Sequence, residues 1–240
     1  PDVLWSCTTC RACMEVCPVG NEHIPDIIDM RRYLTMGEGA VGHGAEKALK
    51  KMDRKGNPWG LSKREREKWT KELDFPIKRI KKEPAEYLYW VGCAGALDTR
   101  AQKVTQSMAR LMTKAGVDFG ILGKDESCTG DSARRLGDEY LFQQMAEKNV
   151  ETLNSAGVKK IVTHCPHCFN TLKNEYTQFG GHYEVIHHSE LLSQLMKEGK
   201  LTAGADSEAA SQKIVYHDSC YLGRYNEIYD PQRDIIDAMP

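Results

Sequence analysis

The sequence has no uninterrupted apolar stretch near the ~20 residues a helix needs to cross a bilayer. Its longest candidate, YLYWVGCAGAL at 87–97, is about half that length and reads as a buried strand running into a turn. It also has no excess of charge of either sign. The 33 Lys and Arg against 34 Asp and Glu leave a formal net charge of −1, which argues against nucleic acid or an anionic membrane as a partner drawn by bulk charge. No initiator methionine and no charged-then-apolar leader precede the first cysteines; the chain opens at Pro1. Nine cysteines are an odd number for a disulfide framework. Several fall in C-x2-C pairs, which points to metal or redox chemistry in a reducing, cytoplasmic setting. The 240 residues suffice for one large domain or two small ones with a sizeable core.

What is present starts with SCTTCRACMEVCP at 6–18, where Cys7, Cys10, Cys13 and Cys17 make a C-x2-C-x2-C-x3-C-P run. In this spacing the first three thiolates hold one 4Fe–4S cube and the fourth reaches across to a different cube. The ligand count therefore does not close within the run. Pro18 ends the cysteine loop, Pro25 suits a first helical position, and Ile24, Ile27, Ile28 and Leu34 supply an apolar stripe. Residues 1–35 thus fit half of a two-cluster ferredoxin-like α+β domain.

GEGAVGHG at 37–44 contains G-x-G-x-x-G, but a helix precedes it rather than a strand, so the phosphate-cradling geometry is missing and a flexible connector is expected. Residues 36–85 are charged and helix-prone. KREREKW and IKRIKKEP within them read as solvated faces of a helical linker, with a docking surface as the alternative. From residue 86 the pattern alternates. EYLYWVGC is a strand, followed by a helix at 98–114 with Ala101, Val104, Met108, Leu111 and Met112 on one face. VDFGIL is a second strand before a long helix at 133–154, and KKIVTHC a third before a helix from about 167. YEVIHH with ELLSQLMKEG makes a fourth pair. After a polar break at 202–212, QKIVYHDSC starts a fifth strand. Such alternation predicts an α/β fold with a mostly parallel sheet and flanking helices.

The other cysteines fall at strand ends. Cys93 closes the first strand, Cys128 lies in the loop after the second, and Cys165 and Cys168 close the third. Parallel strands put their carboxyl ends on one edge, where ligand sites form in open α/β sheets. Four thiolates gathered there suffice for a 4Fe–4S cube. They would also suit a tetrahedral zinc, although structural zinc sites usually use compact paired knuckles and only one C-x2-C pair is available here. A third reading makes Cys93 and Cys128 ordinary buried thiols. His164 and His167 flank the pair in HCPHC as polar neighbours of the sulfurs. Arg134 and Arg135 either add charge near the cysteines or belong to a solvated helix start capped by Asp131 or Ser132. His187 and His188 read as surface or packing residues. Finally, YWVGCAGALDTR and VYHDSCYLGRYN share a strand–cysteine–glycine plan, with Cys220 in the place of Cys93. The expectation is a module at 86–212, the start of a second at 213–240, and further parts upstream and downstream. The missing ligands of the first motif would then lie upstream of Pro1.

Along essentially its whole length the chain resembles the heterodisulfide reductase-related iron–sulfur oxidoreductases, which join a two-cluster ferredoxin domain to two cysteine-rich "CCG" modules. Cys93, Cys128 and Cys165-x2-Cys168 follow the order of one module, and Cys220 the opening of the next. ESCTGDSARRLGDEYLFQ and HDSCYLGRYNEIYD are similar to a membrane-associated branch. The resemblance implies 4Fe–4S clusters, an electron-transfer flavoprotein or other flavoprotein as donor, a quinone-linked acceptor, and a place at the cytoplasmic face of a membrane. A glycolate or lactate oxidase iron–sulfur subunit and a heterodisulfide-type thiol–disulfide reductase are the alternatives within the class. A zinc-stabilised interaction module is the alternative outside it. One departure matters: the family's Cys-Cys-Gly is here Cys128-Thr129-Gly130. A hydroxyl is a poor soft-metal ligand, so Thr129 cannot supply a bridging fifth thiolate, and the module is expected to relay electrons rather than cleave disulfides.

Overall fold

In the computed structural model, residues 2–204 and 213–239 are described. Among them, five short strands form one sheet: β1 (Lys78–Arg79), β2 (Tyr87–Trp90), β3 (Phe119–Ile121), β4 (Lys160–Thr163) and β5 (Glu184–His187). Their order is β1-β3-β2-β4-β5 and every neighbouring pair is parallel. Successive residues of β2 face opposite layers. Leu88 and Trp90 enter one core, Tyr89 and Val91 the other, all at most 4 % exposed. Such all-apolar strands are what a parallel sheet covered on both faces requires.

Among the described residues, twelve α-helices surround the sheet or precede it: α1 (Asp2–Ser6), α2 (Ala12–Glu15), α3 (His23–Arg32), α4 (His43–Lys55), α5 (Gly92–Leu97), α6 (Thr99–Lys114), α7 (Asp131–Arg135), α8 (Glu139–Ser155), α9 (Pro166–Asn170), α10 (His188–Lys197), α11 (Gly223–Asn226) and α12 (Asp230–Asp237). One layer draws on α8, α9 and α4 through Phe142, Met145, Phe169 and Met52. The opposite layer draws on α5, α6 and α10 through Ala96, Met108, Met112 and Leu191. The expected α/β architecture is the one observed.

Several local expectations are corrected. Residues 36–85 are no free connector. Leu49 and Met52 of α4 enter one core, and Trp69, in the 3-10 helix Lys63–Glu72, enters the other at 1 % exposure. β1 then adds an edge strand. The charges that made KREREKW look solvated belong to the outward residues, while Arg66 and Trp69, three apart, point inward. The helix expected at 133–154 is two helices. Gly137, at φ 82°, breaks them where a side chain would collide with the Arg31 backbone of α3, and Asp138 then caps α8 by accepting from the Leu141 N–H. On α6 the buried stripe is Thr105, Met108, Ala109 and Met112, while Val104 and Leu111 face outward. The fifth strand does not form at 213–219, where Ile214, Val215 and Tyr216 are exposed. Part of the polar break expected before it lies outside the described residues. α3 begins two residues earlier than Pro25 would suggest, and of its stripe Ile24 and Ile28 are fully buried.

Candidate metal centre

β3, β2 and β4 are adjacent in the sheet, and the segment after each carries the cysteines to the same carboxyl edge. Cys93 sits in α5, one residue after Gly92. That glycine has φ 75°, and a Cβ there would stand 3.4 Å from the Cys168 Sγ. Cys128 follows β3 in a loop anchored to the end of α4, its N–H donating to the Gly56 carbonyl at 2.8 Å. Cys165 is the N-cap of α9, and its Sγ accepts from the Cys168 N–H at 3.5 Å. Cys93 and Cys168 are buried; Cys128 and Cys165 are half-buried, so the site reaches solvent on one side.

The four thiols are linked in two pairs. Cys128 donates to Cys93, which holds the Cys93 thiol below its usual range and pushes Cys128 well above it. Cys168 likewise donates to Cys165, pulling Cys165 down to about 7 and raising itself. Cys168 also feels the negative charge of both Cys128 and Cys93, so the two pairs share one field. Burial of thiolates this close requires a compensating cation. Arg66 supplies it: Nη1 lies 3.5 Å from the Cys93 Sγ and Nη2 2.6 Å from Glu126 Oε1. Both side chains of this ion pair are 2 % exposed. Glu126 also accepts the N–H groups of Val91 at 3.0 Å and Gly92 at 2.8 Å, so three donors converge on it and partly offset the burial that pushes its carboxyl above the usual range.

Thr129 is 2 % exposed, and its hydroxyl donates to the Cys168 Sγ over 3.9 Å. Asn149 donates to the Cys128 carbonyl and to the Tyr176 hydroxyl, each at 2.8 Å, and Tyr176 donates to the Thr129 carbonyl at 3.0 Å. The turn between Cys128 and Gly130 is therefore fixed from behind. His164 and His167 flank the cysteine pair, and each ring is held through Nδ1 by a partner other than a sulfur. His164 Nδ1 is hydrogen-bonded to the Tyr89 hydroxyl at 2.8 Å and His167 Nδ1 to Asp131 Oδ2 at 2.9 Å. His187 and His188 pack beside His164 at the end of β5, their rings 4.3 Å apart. Arg134 and Arg135 do not start a solvated helix. They pair with Glu175, and no side chain caps α7, whose N-cap is Gly130.

The first motif is built differently. The Cys7 Sγ accepts from the Thr9 N–H and the Cys17 Sγ from the Asn21 N–H, each at 3.3 Å. The Ala12 N–H holds the Cys10 thiol below its usual range. Cys13 is exposed and the other three are half-buried. Cys220 lies in the turn before α11, half-buried, its carbonyl accepting from the Tyr225 N–H at 3.1 Å. Among the described residues no three His, Cys, Asp or Glu side chains are gathered around a point as a single metal ion requires. A cube spreads its ligands over four irons instead. Four paired thiols, a buried guanidinium and inward N–H donors suit that group.

Sequence reasoning missed Arg66, Glu126, Asn149 and Tyr176. A tryptophan three residues after an arginine inside a charge run was the signal for the first of them. The others carried none, because only the folded turn gives them their partners.

Residues 87–173 match the family described as Cysteine-rich domain (CCG). The chain is 50% identical over 243 residues to the probable iron-sulfur-binding oxidoreductase FadF of Bacillus subtilis (strain 168), covering 99% of this chain and 34% of that protein. It is 47% identical over 242 residues to the EtfAB:quinone oxidoreductase of Syntrophomonas wolfei, covering 99% and 33%. It is 28% identical over 246 residues to one of the subunits of the dihydromethanophenazine:CoB--CoM heterodisulfide reductase of Methanosarcina mazei, covering 100% and 58%. The chain thus spans about a third of the length of the first two. No solved structure matches it.

Proposed function

We propose that this segment of a CCG-containing, heterodisulfide reductase-related iron–sulfur oxidoreductase relays single electrons between a flavoprotein donor and a quinone-linked acceptor. The observation that carries the reading is the convergence of Cys93, Cys128, Cys165 and Cys168, from three adjacent strands, at one sheet edge, with the buried Arg66 against Cys93. These four would hold one 4Fe–4S cluster. Cys7, Cys10, Cys13 and Cys17 would serve ferredoxin-type clusters, and Cys220 would open a second module of the same kind. When bound, such a cluster supplies a one-electron change with no bond made or broken.

The chain's own residues set the conditions for that change. Arg66 offsets thiolate charge beside Cys93, and Thr129 and the N–H of Cys168 donate to sulfurs. Both effects favour the reduced, more negative state. The Asn149–Tyr176 pair fixes the Cys128–Thr129 turn, which keeps reorganisation small. Thr129 offers a hydroxyl where disulfide chemistry would need a thiolate, which supports relay over cleavage. No described helix is long and apolar enough to cross a membrane. A relative named probable membrane-anchored ferredoxin, 42% identical over 244 residues, supports membrane association of a longer protein, for which the cytoplasmic face is our proposal.

The test is iron and sulfide counting with a Mössbauer spectrum on the whole chain, loaded and purified anaerobically, because residues 43–72 belong to the core. Cys165→Ala should remove about four irons in a cubane environment. Zinc in their place, or no metal, overturns the proposal; a noncubane signature would restore disulfide chemistry.

A further inference from the structure

Between the two cysteine sites lies an aromatic stack that no metal motif accounts for. Tyr221 is fully buried. Its ring centre is 4.0 Å from that of His167 and 4.3 Å from that of Tyr225, the two tyrosines lying parallel within 7°. The Arg11 guanidinium sits 5.4 Å from the Tyr225 ring centre, and that of Arg135 5.5 Å from the Tyr221 ring centre. The stack therefore runs from Arg11, next to Cys10, to His167, next to Cys168.

Hydrogen bonds fasten the same place. The Tyr221 hydroxyl meets Thr9 Oγ1 at 2.9 Å, and the Tyr225 hydroxyl donates to the Thr9 carbonyl at 2.7 Å. Arg11 donates to the Arg224 carbonyl at 3.0 Å, and Arg224 returns a bond to the Cys10 carbonyl at 3.1 Å. Thr9 and Arg11 have φ of 55° and 65°, a region side chains rarely adopt without outside support. Tyr221, Arg224 and Tyr225 give that support to both.

We infer that residues 221–225 seat the ferredoxin-type loop against the CCG site, and that Tyr221 with His167 forms the contact across which the two cysteine sites exchange electrons. The second half rests on the relay reading; the first does not. In each exchange one electron, supplied by the flavoprotein donor, leaves one site as one arrives at the other. No bond in the stack forms or breaks, and Tyr221 keeps its proton against Thr9. Tyr221 acts as a positioning residue.

The experiment compares wild type with Tyr221→Phe, Tyr221→Leu and Arg224→Ala, and takes Tyr140→Leu, 67 % exposed, as control. In the metal-free chain, amide exchange over residues 7–15 should quicken by several-fold to about tenfold in Tyr221→Leu and Arg224→Ala. Tyr221→Phe, which keeps the ring, should change less, and the protection of β2 and β4 should hold in every variant. Unchanged exchange over 7–15 in both of the first two variants overturns the seat. The second measurement is the electron paramagnetic resonance spectrum of the chain loaded with iron and sulfide in excess thiol, which supplies the ligand the first motif lacks, and reduced with dithionite. The wild type should show two centres broadened by mutual interaction, resolved into isolated signals in Tyr221→Leu and retained in Tyr221→Phe. An isolated signal in the wild type overturns the contact. A chain that binds no iron sinks the relay reading, and leaves the exchange result to judge the seat.

Discussion

The two cysteine sites each bring four thiols together, by opposite routes. In the first, Cys7 to Cys17 lie within eleven positions, yet the structure around them is thin. Only Thr9, Ile24, Ile28 and Arg31 are buried in residues 2–35. In the second, Cys93 to Cys168 are far apart in sequence, yet the sheet delivers them to one edge with two cores behind it. Close spacing lets a loop wrap a cluster that does part of its folding. Wide spacing demands a fold that stands before the cluster arrives. The second site is thus preorganised, and the first leans on its neighbours, through Arg31 to the carbonyls of Leu4, Cys7 and Arg135 and through the Tyr221 seat.

The largest effect expected from this contrast is at Arg66. Arg66→Met leaves the buried Glu126 without its cation, which should cost about 3–5 kcal/mol. Urea unfolding of the metal-free chain measures it, and Arg66→Met/Glu126→Gln should recover most of the loss. A loss under about 1 kcal/mol in the single variant would mean that water reaches the pair and that the second site is less dry than its geometry implies.

Next comes a pair of truncations. Leu88→Ala, at a fully buried position of β2, should lower the global urea midpoint by the equivalent of about 2–5 kcal/mol. Ile28→Ala, 5 % exposed, should instead leave that midpoint nearly in place and quicken amide exchange across residues 2–35. If Ile28→Ala lowers the global transition as much as Leu88→Ala does, the two regions unfold as one unit and the comparison breaks.

The fold class was legible in the sequence because strand and helix alternation is a local pattern, and the convergence of four cysteines follows from parallel strands alone. What was not legible depends on partners far away in the chain. KREREKW looked solvated because the buried Glu126 that Arg66 meets is 60 residues on. The break at Gly137 arises from the Arg31 backbone, 106 positions earlier. QKIVYHDSC has a strand's composition, but its described residues 213–219 pair with no strand. Thr129, by contrast, stood out from the resemblance alone, and the structure supplies its sulfur partner.

Below these in size is a pH effect confined to the module. Burial holds His187 neutral, its pKa pushed down to about 4. The groups facing it are the His164 carbonyl, the His188 ring, Ser189, the Phe169 ring and the Glu190 carboxylate, which takes its backbone N–H. Unfolded, the imidazole binds a proton near pH 6.5. The unfolded state therefore holds more protons between pH 6.5 and 4, and stability is full above that window and falls as pH drops through it. His187→Asn keeps a residue able to cap α10. The wild-type loss across the window should exceed the variant's by on the order of 2–3 kcal/mol, read from urea midpoints at pH 7 and 4.5. Equal slopes would mean that His187 is open to water.

The smallest stability effect is expected at Thr129, where the consequence is chemical instead. Thr129→Val keeps the shape and removes one long O–H···S bond to Cys168, worth about 1 kcal/mol or less. Its mark should be a more negative reduction potential for the second site, since one donor to a thiolate is gone. Thr129→Cys does the reverse experiment. It places a fifth thiol in a buried turn already held by Asn149 and Tyr176 and within reach of Cys168. If the threonine is what confines this edge to four ligands, the variant loaded with iron should lose the cubane Mössbauer signature or gain thiol–disulfide activity that the parent lacks. An unchanged cubane with no new activity would show that the turn, and not the missing thiolate, limits the site to one-electron relay.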